Sequence, residues 1–571
     1  MTKLCRAFTI LISSVLVCCA QQGINTYEGN WEGTLPAKSA FSFTVALEIL
    51  ESNDVKYQLQ ILNDDFRFSK TMASRSTGHI TFDIDENTTF KGIFTEDKNQ
   101  IDGFITSGIL MYHLSLKKNQ DNVYRGTWNP IMIDTLQSKK IYLAVENVKG
   151  ERFEAYPFFG DQRFTGTWCG DFSKENDTLL FRDYKTGLRF KGKLLDDKIA
   201  LELWFAGKPF AKTLLERSTT EWDFRTSIPI TRQKVTVPKQ RNDGWDIAGP
   251  DSHRVNMKKL QQLIDAVEAK SLQNIHSILI AKEGKLAFEA YFEGYNASIP
   301  HDQRSASKSI SSAMIGIAID DKIIESTDQK LYSCIPATYQ YTKDPLKSKI
   351  RIKDLLTMSS GLAVDGAASE GNYQETEHWL KTVLEAPMVN EPGTHANYGS
   401  ANPFLLGVCL NERLSQPMEL YMDQKLLSPL GITKYMIQTE NTGTTPYFGG
   451  GMYLTPRDML KFGQLYANKG TWKGKQIVSE TWVEDSFKKH TRLEDAKNKN
   501  EYGYQWWHRT YKAGGREIQS IEARGAGGQF IFVLPEMKAV AVITSGNYRN
   551  RKLNEQPENI VEHYILPALL E

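Results

Sequence analysis

From residue 25 to about residue 236 apolar side chains recur at every second position, and close to residue 240 that period is abandoned. A chain patterned this way must build sheets first and a mixed domain afterwards. Phe41-Ser-Phe-Thr-Val-Ala-Leu-Glu-Ile-Leu50, Tyr57-Gln-Leu-Gln-Ile-Leu62 and His79-Ile-Thr-Phe-Asp-Ile-Asp85 alternate cleanly, with Asn, Asp, Gly and Ser clusters between them. Phe90-Lys-Gly-Ile-Phe94 followed by Ile101-Asp-Gly-Phe-Ile105 repeats the strand–turn–strand unit. A faint echo runs through the region. Tyr124-Arg-Gly-Thr-Trp128 returns as Phe164-Thr-Gly-Thr-Trp168, and Phe90-Lys-Gly92 as Phe190-Lys-Gly192. The echo predicts two related antiparallel barrels or sandwiches, over 25–150 and 151–236, or a single large one.

Residues 237–250, with Pro238 and Pro250, read as a linker. Beyond it, over 251–571, the spacing predicts a helix from Val255 to Ala269 and a hairpin from Ser277 turning at Lys282-Glu283-Gly284-Lys285. Several helices follow, then strands at Ser520–Arg524, Gln529–Leu534 and Val540–Ser545, and a closing helix from Ile560 to Leu570. Strands at both ends of a helical middle imply one antiparallel sheet built from both termini, with helices packed on it, an α/β (α+β) architecture. The whole is multidomain, with an N-terminal all-β part ahead of that domain.

Charge excludes some partners. Sixty-nine basic residues against sixty-eight acidic ones leave a net charge of +1, without the basic excess that nucleic acid or an anionic membrane requires. The start Met1-Thr-Lys-Leu-Cys-Arg6 is short and basic, Ala7 to Cys19 is apolar, and small residues precede Gln21. This predicts a signal peptide over 1–20 and a secreted or periplasmic protein, with lipid anchoring at Cys19 as the minor alternative. No later run is long and apolar enough to span a bilayer. Removal of the leader leaves Cys169, Cys334 and Cys409, too few and too scattered for a disulfide framework, with room for one pair. None sits in a Cys/His cluster, so neither a metal nor an organic cofactor is expected.

Chemistry concentrates at Arg304-Ser-Ala-Ser-Lys-Ser-Ile-Ser-Ser-Ala-Met-Ile-Gly-Ile-Ala-Ile319. Ile310, Ala313, Met314, Ile317 and Ala318 give the i, i+3, i+4, i+7, i+8 pattern of a helix that buries one face. Ser305 and Lys308 lie one turn apart at its head. A serine hydroxyl becomes a useful nucleophile when a neighbouring base takes its proton. A lysine can be that base only while neutral, which burial and the positive potential of a helix N-terminus both favour. Ser-x-x-Lys also occurs at Ser115–Lys118, in a strand-like run, and at Ser486–Lys489, in a solvated stretch. Only Ser305 heads an apolar helix and has suitable partners downstream.

Those partners are Leu355-Leu-Thr-Met-Ser-Ser-Gly-Leu362, Pro392-Gly-Thr-His-Ala-Asn-Tyr-Gly-Ser400, Gly449-Gly-Gly-Met-Tyr-Leu-Thr-Pro-Arg-Asp458 and Arg524-Gly-Ala-Gly-Gly-Gln529. In that order, over residues 240–571, the run resembles the serine β-lactamase-related family of class C β-lactamases, D-amino-acid peptidases and esterases. The resemblance implies a β-lactamase/transpeptidase-like domain in which Ser305 is acylated, Lys308 relays its proton and Tyr398 passes protons between nucleophile, water and leaving group. It also implies an oxyanion hole formed by the Ser305 amide and one near Gly525–Ala526, on a substrate strand that includes Arg524 and Gly527. Ser400 stands where class C enzymes have an asparagine that touches the substrate, Met358 replaces a common histidine, and Ala523-Arg524-Gly525 replaces Lys-Thr-Gly. A literal Lys185-Thr186-Gly187 precedes Ser305 in chain order and reads as coincidence. His395 suggests a Ser-His-Asp triad, but no Gly-x-Ser-x-Gly elbow surrounds Ser305.

The expectation is a serine hydrolase acting on an ester or amide of a small molecule or peptide, without cofactor. The departures make efficient antibiotic hydrolysis the less favoured activity. Alternatives are a penicillin-binding-like recognition domain with little turnover, a β-lactamase, and a β region that carries an apolar ligand.

Overall fold

The computed structural model describes residues 27–37, 41–49, 55–61, 67–72, 79–136, 138–149, 152–159, 169–205, 207–219, 233–248, 255–340, 344–494, 499–548 and 550–570. The leader expected over 1–20 and the Phe164–Trp168 copy of the repeat lie outside these residues.

Alternation drives the N-terminal region into two β units. One is a closed antiparallel barrel of Gly29–Thr34, Lys140–Lys149, Arg152–Phe159, Cys169–Glu175, Thr178–Asp183, Arg189–Leu195, Lys198–Phe205 and Lys208–Arg217. The first of these closes the barrel, since Trp31 stands opposite Leu143 on one side and Arg217 on the other. The second unit, Phe43–Ile49 through Val123–Trp128, is inserted between the barrel's first two strands. The units therefore do not meet at residue 150. Their apolar residues also form one continuous cluster, with the Phe43, Trp128 and Phe205 rings 4.8–5.3 Å apart. The Phe-Lys-Gly echo has a structural cause. Phe90 faces Phe82 across one strand pair and Phe190 faces Phe181 across another, and both pairs are stacked. A Cβ on Gly92 or Gly192 would come within 2.8 or 3.0 Å of Ile101 or Ile199.

The second domain carries an eight-stranded antiparallel sheet ordered Lys285–Tyr291, Ile275–Lys282, Ala539–Ser545, Gln529–Leu534, Arg516–Gly525, Trp507–Ala513, Lys499–Tyr502 and Thr491–Glu494. It is built from both ends of the domain, as the strand–helix–strand pattern requires. The helix Met257–Glu268 and the C-terminal helices cover one face, burying Leu260, Leu263, Ile264 and Ile560 against Phe532 and Ile543. On the other face lie Pro456–Ala467 and the helix Lys308–Asp320, beside Ile531, Val533, Val540 and Val542. The Lys308 helix is not one-sided. Every residue from Lys308 to Ala318 is buried, and two of its serines are accommodated by loop carbonyls, Ser309 donating to Gln505 O and Ser311 to Phe448 O. Cys334 and Cys409 form a disulfide, while Cys169 is a buried free thiol. Among the described residues no helix is long and apolar enough to cross a membrane.

The two halves are joined by main chain. Met436–Gln438 pairs with Leu110–Tyr112 of the N-terminal unit on one side and with Met452–Leu454 on the other. Met452–Leu454 in turn pairs with His301–Asp302, immediately ahead of Ser305. The presumed linker packs as well. Trp245 is 1% exposed and donates to Arg457 O, and the Arg457 guanidinium is held by Glu289 and Asp243.

Candidate active site

Ser305 lies in a tight 3₁₀ turn, Arg304–Ser307, that runs directly into the helix starting at Lys308. One turn of offset brings Lys308 Nζ to 2.9 Å from Ser305 Oγ. That Nζ has three oxygens within hydrogen-bond reach. Lys308 also reaches Ser400 Oγ at 3.0 Å and the carbonyl of Gly449. With Lys308 only 1% exposed, water does not compete freely for these bonds. The two other Ser-x-x-Lys sites are inert by comparison. Ser115 bonds Asp102 from a strand, and Lys489 pairs with Glu501.

Tyr398 is half-buried, and Lys308 Nζ stands 5.4 Å from its ring centroid. The ring packs edge-on to Tyr502 and against Trp507, making one wall beside the lysine. The Leu355–Leu362 motif supports that loop from behind. The Met358 carbonyl accepts the Asn397 amide at 2.8 Å, and Asn402 Nδ2 lies 3.6 Å from Met358 Sδ. His395 is exposed in the same loop.

The closing strand meets the nucleophile at Gly525. A Cβ there would stand 2.1 Å from Gln303 O and 3.1 Å from Ala306 N, so only glycine lets this strand end touch the turn. The other residues of the run are placed differently. The Gly527 amide donates to Asn554 Oδ1 at 2.9 Å. Arg524 turns into an internal cluster, its Nε 2.7 Å from Glu522 and NH1 3.3 Å from Glu558, with the guanidinium over the Trp507 ring. It is thus committed to two carboxylates of this chain, not extended toward a bound one. Ala526 joins the two strands, between Gly525 and Gly527.

Glu370, Tyr447 and Tyr373 carry no sequence signal of their own. Ser400 Oγ donates to Glu370 Oε2 at 3.0 Å, and Tyr447 OH donates to Glu370 Oε1 at 2.7 Å. Tyr447 also bonds Tyr373, and burial together with the Glu370 charge holds both phenols well above their ordinary range. A continuous polar chain thus runs from Ser305 through Lys308 and Ser400 to an exposed carboxylate. Gly449 belongs to a motif read in the sequence, but its carbonyl acceptor role was not legible there. Among the described residues no group of three or more His, Cys, Asp or Glu side chains is placed to hold a metal ion.

A two-ended antiparallel sheet, a buried central helix and a serine–lysine pair at its head define the fold class of penicillin-recognising proteins and their serine-hydrolase relatives. The Beta-lactamase family model matches residues 264–565, and the chain belongs to that family. Its N-terminal β units lie outside the match. Protein Rv1367c of Mycobacterium tuberculosis is 26% identical over 202 residues, 28% of this chain and 50% of that one, so the chain spans about half that relative's length. The 6-aminohexanoate-dimer hydrolase of Paenarthrobacter ureafaciens is 22% identical over 387 residues, 63% of this chain and 91% of the relative. A solved penicillin-binding protein from Bacillus halodurans aligns with a TM-score of 0.40 at 16% identity, over 51% of this chain and 97% of that one.

Proposed function

We propose that the protein is an exported serine hydrolase that cleaves an ester or amide of a small molecule or peptide through an acyl-enzyme on Ser305. The observation that carries this reading is the 2.9 Å contact of the buried Lys308 amine with the Ser305 hydroxyl. In the forward step the hydroxyl proton passes to the amine as Oγ attacks the substrate carbonyl. The developing oxyanion lies toward the Ser305 amide and the strand end at Gly525–Ala526, donors of a kind worth about 3–4 kcal/mol of barrier each. Tyr398, beside the lysine, gives a proton to the leaving alcohol or amine and takes its replacement from Lys308, which leaves the amine neutral again. Water then attacks the acyl carbonyl by the same route, releasing the acid and restoring the hydroxyl. A relative named as a 6-aminohexanoate-dimer hydrolase fits the small-acyl class.

The test is intact-mass analysis after exposure to a fluorophosphonate, a penicillin and a nitrophenyl ester. One adduct on Ser305, lost in Ser305→Ala together with ester turnover, is the expected result. Full turnover in Ser305→Ala overturns the assignment, and an ester adduct that never clears makes the site a recognition module.

A further inference from the structure

We propose that Lys185, on a turn of the N-terminal barrel, is a positioning residue for the Ser305 nucleophile. This rests on the serine-hydrolase reading and gives the β region a part in it. The Lys185-Thr186-Gly187 triplet, a coincidence by chain order, lies on the turn between strands Thr178–Asp183 and Arg189–Leu195. That turn projects into the second domain. Lys185 is 4% exposed, its Nζ donates to Tyr453 OH at 3.0 Å, and it stands 3.9 Å from Asp302 Oδ2.

Tyr453 and Asp302 face each other in the short strand pair ahead of the nucleophile, so a single ammonium spans both strands. Asp302 in turn fixes Arg304, accepting its backbone amide at 2.9 Å and forming an ion pair with its guanidinium, Nε standing 3.0 Å from the carboxylate. Arg304 has φ of 48°, a left-handed conformation that a residue with a Cβ adopts only when its surroundings impose it. Ser305 is the next residue. The direction in which its hydroxyl leaves the chain is thus set by a strained neighbour, which Asp302 holds and Lys185 anchors. The charges agree with the geometry. Burial pushes the Asp302 carboxyl up, and the nearby Arg304 and Lys185 cations outweigh it, leaving the carboxyl below its ordinary range.

The base of the turn is as constrained as its tip. Asp183 accepts the Lys185 amide at 3.1 Å and the Thr186 hydroxyl at 2.6 Å. Gly187 and Gly108, both at positive φ, bring the two β units into backbone contact. A Cβ on Gly187 would stand 2.5 Å from Ser107 Oγ, and one on Gly108 would stand 2.5 Å from Lys185 O. The Ile109 amide donates to Tyr184 O and Lys185 O, and the Ile109 carbonyl accepts the Thr439 amide of the second domain at 2.8 Å. A long side chain on so fixed a base transmits position, and small misplacements of a reacting group cost rate, not affinity.

The test uses the full chain. Lys185→Met keeps the stem and removes the ammonium, whereas Tyr453→Phe removes only the hydroxyl that fixes it. Single-turnover acylation by a nitrophenyl ester, kcat and KM, and thermal melting are measured for both, with Lys185→Arg as the rescue. Lys185→Met should acylate about 10- to 100-fold more slowly with KM within about twofold of the parent. Tyr453→Phe should show a smaller loss with an unchanged melting temperature, and Lys185→Arg should recover part of the rate. If Lys185→Met does not fold, Tyr453→Phe decides. A folded variant acylating at the parent rate, or changed only in KM, overturns the proposal. Ser305→Ala run alongside separates the two readings. If it abolishes the ester reaction while Lys185→Met does not slow it, only the positioning role falls.

Discussion

Replacing Ser400 by alanine takes one hydroxyl out of the polar chain that leads from the nucleophile, and the structure sets the size of the effect. Ser400 Oγ accepts from Lys308 Nζ and donates to Glu370 Oε2, both at 3.0 Å. Lys308 and Ser400 are 1% and 6% exposed, so solvent does not simply replace the missing acceptor. The bond that Ser400 gives the Glu370 carboxylate is one to a charged group, a kind that contributes about 1.5–3 kcal/mol. If that contribution serves to aim the amine at Ser305, acylation slows by about 10- to 150-fold, one decade for each ~1.4 kcal/mol. The fold should survive, because Lys308 keeps Ser305 Oγ and the Gly449 carbonyl as acceptors. Stopped-flow measurement of the nitrophenyl-ester burst isolates acylation, and Ser400→Thr, which restores a hydroxyl, should recover most of it. A burst in Ser400→Ala within twofold of the parent would show that the lysine owes its aim to its other two partners, and the relay drawn here would be wrong.

Three further outcomes follow from other contacts. Gly525→Ala places a methyl 2.1 Å from Gln303 O, so it should push the closing strand off the nucleophile turn and cut fluorophosphonate labelling by at least about tenfold; labelling at the parent rate would mean the strand end does not shape the site. Breaking Cys334–Cys409, which spans 75 residues, should lower stability by about 4 kcal/mol, seen as a lower melting temperature in a Cys334→Ser, Cys409→Ser variant. Burial pushes the Asp183 carboxyl up to about 6, above its ordinary 3.8, with the Thr186 and Lys185 bonds opposing. Its folded value is the higher one, so it adds stability below about pH 4 and that stability is lost as pH rises through about 6. In urea the parent should therefore gain on Asp183→Asn between pH 7 and pH 4, by up to about 3 kcal/mol; a difference that does not move with pH would refute the shift.

What could be read from residue order alone was what depends on local period. The helix after Ser305, the hairpin at Lys282–Lys285 and the closing strands each announce themselves within a dozen residues, and the two-ended sheet follows from their order. Alternation shows that a segment is a strand and says nothing about its neighbour. For that reason Gly29–Thr34 could not be assigned to a barrel whose other strands begin at Lys140. The one-sided burial expected of the Lys308 helix failed for a related reason. Ser309 and Ser311 look solvent-facing until the loops carrying Gln505 and Phe448 arrive to accept from them. Ser305 and Lys308 were legible because one helical turn joins them. Glu370 was not, since it heads the short helix Glu370–Gln374, which carries no motif. Lys185 was discounted because the sequence places it before the nucleophile, whereas folding brings it there from another domain.

The strand Met436–Gln438, seated between the N-terminal unit and the rest of the second domain, has a practical consequence. A chain cut at residue 250 would keep every residue of the Beta-lactamase match and yet leave Met436 and Ile437, now buried, along a bare row of unpaired amides and carbonyls. Such edges recruit other chains. Shortened versions of this protein should therefore clump on expression, and an inactive preparation of one would report self-association before it reported anything about chemistry.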